Sequence, residues 1–156
     1  MISIRQVCLT SCLLLASACY CDDDDYHSSP PPPPPARLVS IQVEVYDPVT
    51  NFVWENVDVR IVEAYQEWSA CICISPFNDV YLTDSTGQVF LDETALAAAE
   101  VGFLLDTNGR AILAADLDAD QATVLLEISA EGFVPVYVDV PLSWDQPDVF
   151  VAVPFE

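Results

Sequence analysis

The chain contains no lysine, one histidine (His27), one methionine, four arginines and four glycines in 156 residues. Each shortage removes a class of chemistry. Without lysine there is no Schiff-base nucleophile, no phosphate-loop lysine and no partner for a Lys–Asn isopeptide cross-link. With 4 Arg against 25 Asp and Glu the formal charge is −21, and such a field repels phosphate, which excludes nucleic acid as a partner. A Ser-His-Asp or Cys-His arrangement needs a histidine beside its nucleophile, and His27 sits in an aperiodic stretch of acids and prolines, so nucleophilic catalysis of that kind is excluded as well. No apolar run reaches the roughly 20 residues of a spanning helix. What remains is apolar: 53% of residues are hydrophobic, too many for an acidic disordered chain, and the length suits one domain with an adequate core.

Residues 1–18 read as an export signal. Met1 to Gln6 carries the single charge Arg5, Val7 to Leu15 is apolar, and Ala16-Ser17-Ala18 supplies the small side chains that precede a cleavage point. The run Leu13-Leu14-Leu15-Ala16-Ser17-Ala18-Cys19 resembles the lipobox of bacterial lipoproteins, with Ala16 where that family prefers Leu. The resemblance implies that Cys19 becomes the mature N-terminus and carries diacylglycerol and a further acyl chain, a stable membrane anchor at about 0.8 kcal/mol per buried CH₂. Tyr20, not being Asp, points by the same resemblance to the outer membrane of the cell envelope. A rival match at Leu9-Thr10-Ser11-Cys12 leaves too short an apolar region, and ordinary signal cleavage nearby is the alternative to lipidation. Loss of Arg5 leaves a mature chain with 3 positive and 25 negative side chains, a formal charge of −22.

Residues 19–36 read as a tether. Asp22 to Asp25 is an acidic run, and Pro30 to Pro35 is a run of six prolines, which in the polyproline II form spans roughly 19 Å and resists collapse. A proline-rich ligand motif or a metal-binding acidic tag is the alternative to a plain spacer. Of six cysteines, Cys8 and Cys12 leave with the signal and a lipidated Cys19 cannot oxidise, so Cys21, Cys71 and Cys73 remain. Three thiols in an oxidising compartment allow at most one disulfide. Cys71 and Cys73 also read simply as two small residues on one face of a strand, alternating with Ile72 and Ile74.

From 37 to 156 strand signals dominate. Val39, Ile41, Val43 and Val45 alternate with polar residues, as do Val57, Val59 and Ile61; Val124, Leu126 and Ile128 form another apolar face, and Val134, Val136, Val138 and Val140 a further one. Ala70 to Ser75, Val80 to Thr83, Gln88 to Leu91 and Asp148 to Pro154 complete the strands. The pattern predicts a single all-β domain, an antiparallel β-sandwich. Glu93 to Val101, alanine-rich and followed by Gly102, breaks it and predicts a short helix within a probable insertion over 93–121. Leu82-Thr83-Asp84-Ser85-Thr86-Gly87-Gln88 is echoed 22 residues later by Leu104-Leu105-Asp106-Thr107-Asn108-Gly109-Arg110, which predicts two similar hairpin turns.

Val43-Glu44-Val45-Tyr46-Asp47-Pro48-Val49-Thr50-Asn51, Thr83-Asp84-Ser85-Thr86-Gly87-Gln88-Val89 and Ile128-Ser129-Ala130-Glu131-Gly132-Phe133-Val134-Pro135 together resemble the carboxypeptidase regulatory-like domain over roughly 38 to 154. That resemblance implies a transthyretin-like (prealbumin-type) sandwich and an accessory, non-enzymatic role, with no catalytic residues.

One acidic constellation points to a ligand. Asp116, Asp118 and Asp120 at alternate positions, with Glu127 further on, partly match a Ca²⁺ loop, because a hard cation takes six to eight oxygens. Gln121 stands where the turn glycine belongs and Glu127 lies inside a strand pattern, so a solvated acidic turn is the first reading and Ca²⁺ the second. No other cofactor is expected. The functional expectation is a lipid-anchored, non-enzymatic envelope protein whose sandwich makes structural, adhesive or accessory contacts with an envelope protein; the alternative is a calcium- or carbohydrate-binding surface module using acidic loops and Trp54, Trp68 or Trp144.

Overall fold

The computed structural model describes residues 32, 34–66, 72–74, 79–99, 102–115 and 119–156. The chain divides into two compact units, Met1–Pro32 and Pro33–Glu156, and the second carries all the secondary structure described below. It is a β-sandwich. One sheet has the order β11-β2-β6, built from β2 (Ser40–Tyr46), β6 (Gln88–Leu91) and β11 (Asp148–Pro154). The other runs β10-β9-β3, from β3 (Asp58–Gln66), β9 (Gln121–Ser129) and β10 (Val136–Ser143), with β4 (Ile72–Ile74) and β5 (Tyr81–Leu82) both pairing on the far side of β3. Their inner faces meet in one apolar core. Ile41, Val43 and Val45 from the first sheet and Val59, Ile61, Val124, Leu126, Ile128 and Val140 from the second are buried in it. These are the alternating residues of the sequence, because a period of two puts every second side chain on the inner face.

Two departures from simple alternation carry physical meaning. The β3–β9 register shifts between Ile61 and Glu63, a β-bulge that moves the inward positions of β3 from Val59 and Ile61 to Ala64 and Gln66. Under strict alternation, with no bulge, Glu63 would follow Val59 and Ile61 into the core, where an unpaired carboxylate is very costly. The second departure qualifies the expected antiparallel arrangement. Every pair is antiparallel except β2–β11, which is parallel from Asp148↔Ser40 to Pro154↔Tyr46. β10 belongs to the facing sheet, and the Trp144–Pro147 turn carries the chain across to the edge of β2, running in the same direction as β2.

The expected insertion leaves the sandwich after Asp92, whose side chain accepts the backbone N–H groups of Thr94 and Ala95 and so caps helix α1 (Glu93–Ala98). The helix is shorter than the predicted Glu93 to Val101. A hairpin of β7 (Leu104–Leu105) and β8 (Ala111–Ala114) follows, and β8 pairs with β1 (Ala36–Leu38). One buried side chain fastens this excursion to the sandwich. Gln66, 1% exposed at the end of β3, accepts from Leu104 N at 2.7 Å and donates to the carbonyls of Ala119 at 3.0 Å and Ile112 at 3.5 Å.

The pairings also give the unit two distinct ends. Ser40, Gln66, Gln121, Ser143 and Asp148 mark the near end, where strand β1 enters and the insertion folds. Tyr46, Asp58, Ser129 and Pro154 mark the far end.

Candidate functional site

Of the residues singled out from sequence, Cys19, Cys21, Cys71, Asp116, Asp118 and Trp68 lie outside the described residues. Cys73 is the middle residue of β4, its Cα opposite Ala64. Asp120 and Glu127 are not brought together. Seven residue steps along nearly continuous strand separate them, roughly 23 Å at about 3.3 Å per step, so Glu127 does not complete a cation loop with Asp120. Glu127 faces outward from the centre of its sheet instead, accepting from the Tyr137 hydroxyl at 2.7 Å and lying 3.9 Å from the Arg60 guanidinium. That hydrogen bond holds the Tyr137 phenol above its ordinary pKa.

Asp120 lines a near-end cleft of about 390 Å³ with Ala115, Gln121, Ser143, Trp144 and Asp145. Trp144 is already occupied on one ring face: the Arg37 guanidinium lies 4.8 Å from the ring centroid and donates to the Trp144 carbonyl at 3.0 Å. At the far end Trp54 packs edge-on against Phe133 and Phe155, with centroids 5.3 and 6.3 Å away, and so seals the core beneath the loops. Val49, Phe52 and Val134 stand exposed on those loops, all at least three-quarters accessible.

The remaining carboxylates that respond to their surroundings do so alike. Asp47, Asp84 and Asp106 each head a turn, and each is held below the ordinary aspartate pKa by hydrogen bonds. Asp47 is lowered first by the Thr50 hydroxyl, Asp84 by the Thr86 hydroxyl, and Asp106, to about 2, by the Arg110 backbone N–H and then its guanidinium. A general acid needs the opposite shift.

The surface that sequence reasoning missed is the outer face of β11-β2-β6. Register aligns Phe90, Gln42 and Phe150 in one row across the three strands, and the two phenylalanines are 61% and 56% exposed. Gln42 donates to Gln88 at 2.8 Å, and Gln88 donates to Glu44 at 2.8 Å. Asp148 accepts from the Ser40 hydroxyl at 2.6 Å. The signal was present in the alternation itself: with Val149, Val151 and Val153 turned inward, Phe150 must face solvent.

No family model and no curated protein matches the chain. Among solved structures it is similar to the crystal structure of BcpA, the major pilin subunit of Bacillus cereus, at 7% sequence identity and a TM-score of 0.41. The alignment covers 76% of this chain but only 30% of the pilin chain. No helix among the described residues is long and apolar enough to cross a membrane.

Proposed function

We propose that the chain is a non-enzymatic protein of the bacterial cell envelope, anchored through lipid on Cys19, most simply in the outer membrane, with its β-sandwich serving as a structural or accessory contact module of the carboxypeptidase regulatory-like kind. The observation that carries this reading is the division of labour between the ends. The chain enters the sandwich at β1, by the near end, and the exposed apolar side chains Val49, Phe52 and Val134 stand at the opposite end, open to a partner. Downward shifts at Asp47, Asp84 and Asp106 add support, since each of these carboxylates is engaged in shaping a turn.

The anchor is tested by palmitate labelling in cells that make the protein. Label on the wild type and its loss in Cys19→Ala is the expected result; equal label in both sinks the anchor.

A second reading, a small-ligand module, is favoured by the near-end cleft with Asp120, Asp145 and Trp144. Calorimetric titration with Ca²⁺ decides it. No heat and an unmoved melting temperature are expected on the contact-module reading, because Glu127 lies far along the strand; saturable heat lost in Asp120→Asn would favour the cation site.

A further inference from the structure

We propose that the outer face of β11-β2-β6 is a docking surface for a basic segment of a partner protein in polyproline II conformation, with a cationic side chain at every third position. The proposal rests on the contact-module reading but gives the module a surface distinct from the far-end loops, while depending in no way on the lipid anchor.

Three features of the face select this occupant. Phe90 and Phe150 are separated by β2 alone, so their Cα atoms stand two strand spacings apart, about 9.6 Å. A polyproline II helix returns to the same side every three residues, a rise of about 9.3 Å, so cations at positions i and i+3 fall one over each ring. The face also supplies counter-charges. Glu44 lies beside Gln42 and Gln88, and Asp148 beside Phe150; each is fixed by one neutral donor, Gln88 and Ser40 respectively, which leaves its second carboxylate oxygen open among the described residues. Among the described residues no arginine stands on this face: Arg37 lies against Trp144, Arg60 against Asp58 and Glu127, and Arg110 against Asp106 and Glu93.

Charge then removes the competitors. A second copy of a chain with formal charge −21 is repelled, as is an anionic surface, whereas a basic segment gains both ion pairs and ring contacts. A neutral glycan can stack on the rings and yet leaves Glu44 and Asp148 unanswered.

The test is fluorescence polarisation on the full chain in nonionic detergent, with a labelled peptide of four Arg-Pro-Pro repeats. Any acidic protein attracts this peptide weakly, so the decisive variant keeps the charge. Phe90→Leu with Phe150→Leu retains the apolar bulk but removes the ring faces, and is expected to weaken binding about tenfold. Glu44→Gln with Asp148→Asn is expected to weaken it several-fold. A peptide of the same composition with its arginines in one block is expected to bind several-fold more weakly. Unchanged binding by the Phe variant overturns the proposal in favour of bulk charge. Equal binding of the block peptide overturns the spacing. A neutral β-linked oligosaccharide that binds the wild type in place of the peptide, and is lost in the Phe variant, overturns it in favour of a glycan. Failure here with intact palmitate labelling leaves the anchor standing, and the converse result leaves the face standing.

Discussion

Two turns of this molecule are built to one plan and do different jobs. In both, an aspartate N–H donates to the carbonyl four residues on: Asp84 to Gln88 at 2.8 Å, and Asp106 to Arg110 at 2.9 Å. In both, Asp Oδ1 accepts the backbone N–H groups two and four residues later. Both place a glycine in the left-handed region, Gly87 at φ 72° and Gly109 at φ 76°. They part company in what surrounds them. A β-carbon on Gly87 would lie 2.6 Å from Val53 Cβ and 2.8 Å from the Val45 carbonyl oxygen, whereas one on Gly109 would meet nothing within 4 Å. The Gly87 carbonyl also accepts from Val45 N, and neighbouring Thr83, 2% exposed, bonds both Trp54 O and Val57 N. One turn is sewn into the sandwich, the other stands clear of it.

The largest effect that separates them is expected from Gly87→Ala. Strain at positive φ contributes about 1–2 kcal/mol, and the collision with a hydrogen-bonded backbone carbonyl about 1–3 kcal/mol more, so a loss of about 2–5 kcal/mol follows. Urea unfolding measures it. A loss no greater than that of Gly109→Ala would mean that the loop around Val53 gives way freely.

Gln66→Met probes how the freestanding turn's region is held. The substitution fills the space but orphans Leu104 N and takes one of two donors from the Ala119 carbonyl, which keeps the Ala114 N–H, at about 1–3 kcal/mol. Because Gln66 is the polar rivet between β3 and the insertion, hydrogen exchange is expected to quicken at Leu104 and across β7 and β8 while β2 and β9 stay protected. Uniform loss of protection would show that the insertion and sandwich unfold as one.

The shared plan of the two turns was readable in the sequence, since Asp and Gly at fixed spacing are what such turns need. Their difference was not. It depends on Val45 and Val53 arriving beside Gly87 through pairing of β2 with β6, a contact between residues about 40 positions apart that no local pattern encodes. The same limit governs the rest. Period-two runs in β2, β9 and β10 announced the sandwich, and helix α1 was announced by its alanines, ending earlier than Gly102 suggested. The bulge at Ile61/Glu63, the parallel β2–β11 pair and the rivet at Gln66 arise from tertiary packing. The candidate face was half legible: alternation turns Phe150 outward, but only register places Phe90 in the same row.

Gly109→Ala is expected to cost about 1–2 kcal/mol, the strain of positive φ alone, because open space surrounds the new methyl. A loss matching Gly87→Ala in the same urea series would place the hairpin tip against a neighbour and erase the contrast.

The smallest effect concerns acid. Asp84 and Asp106 are both depressed, so each stabilises the fold fully above the ordinary aspartate pKa and loses that contribution as pH falls through its own folded value, about 2 for Asp106. Asp84 owes its shift first to the Thr86 hydroxyl; Asp106 owes it first to the Arg110 backbone N–H and only then to the guanidinium, whose Nε and Nη2 lie 3.0 and 2.8 Å from Oδ2. Thr86→Val therefore raises Asp84 back toward the ordinary value. Arg110→Met raises Asp106 only part of the way, since methionine keeps the backbone N–H. Carbon-13 NMR titration of the two carboxyl groups reads both shifts. The Arg110→Met stability curve is expected to lie below the wild-type curve by a constant amount above about pH 4 and to converge on it between about pH 4 and pH 2, as the wild-type Asp106 takes up its proton. Complete return of Asp106 to the ordinary range would show that the guanidinium, rather than the turn's own backbone, sets its charge.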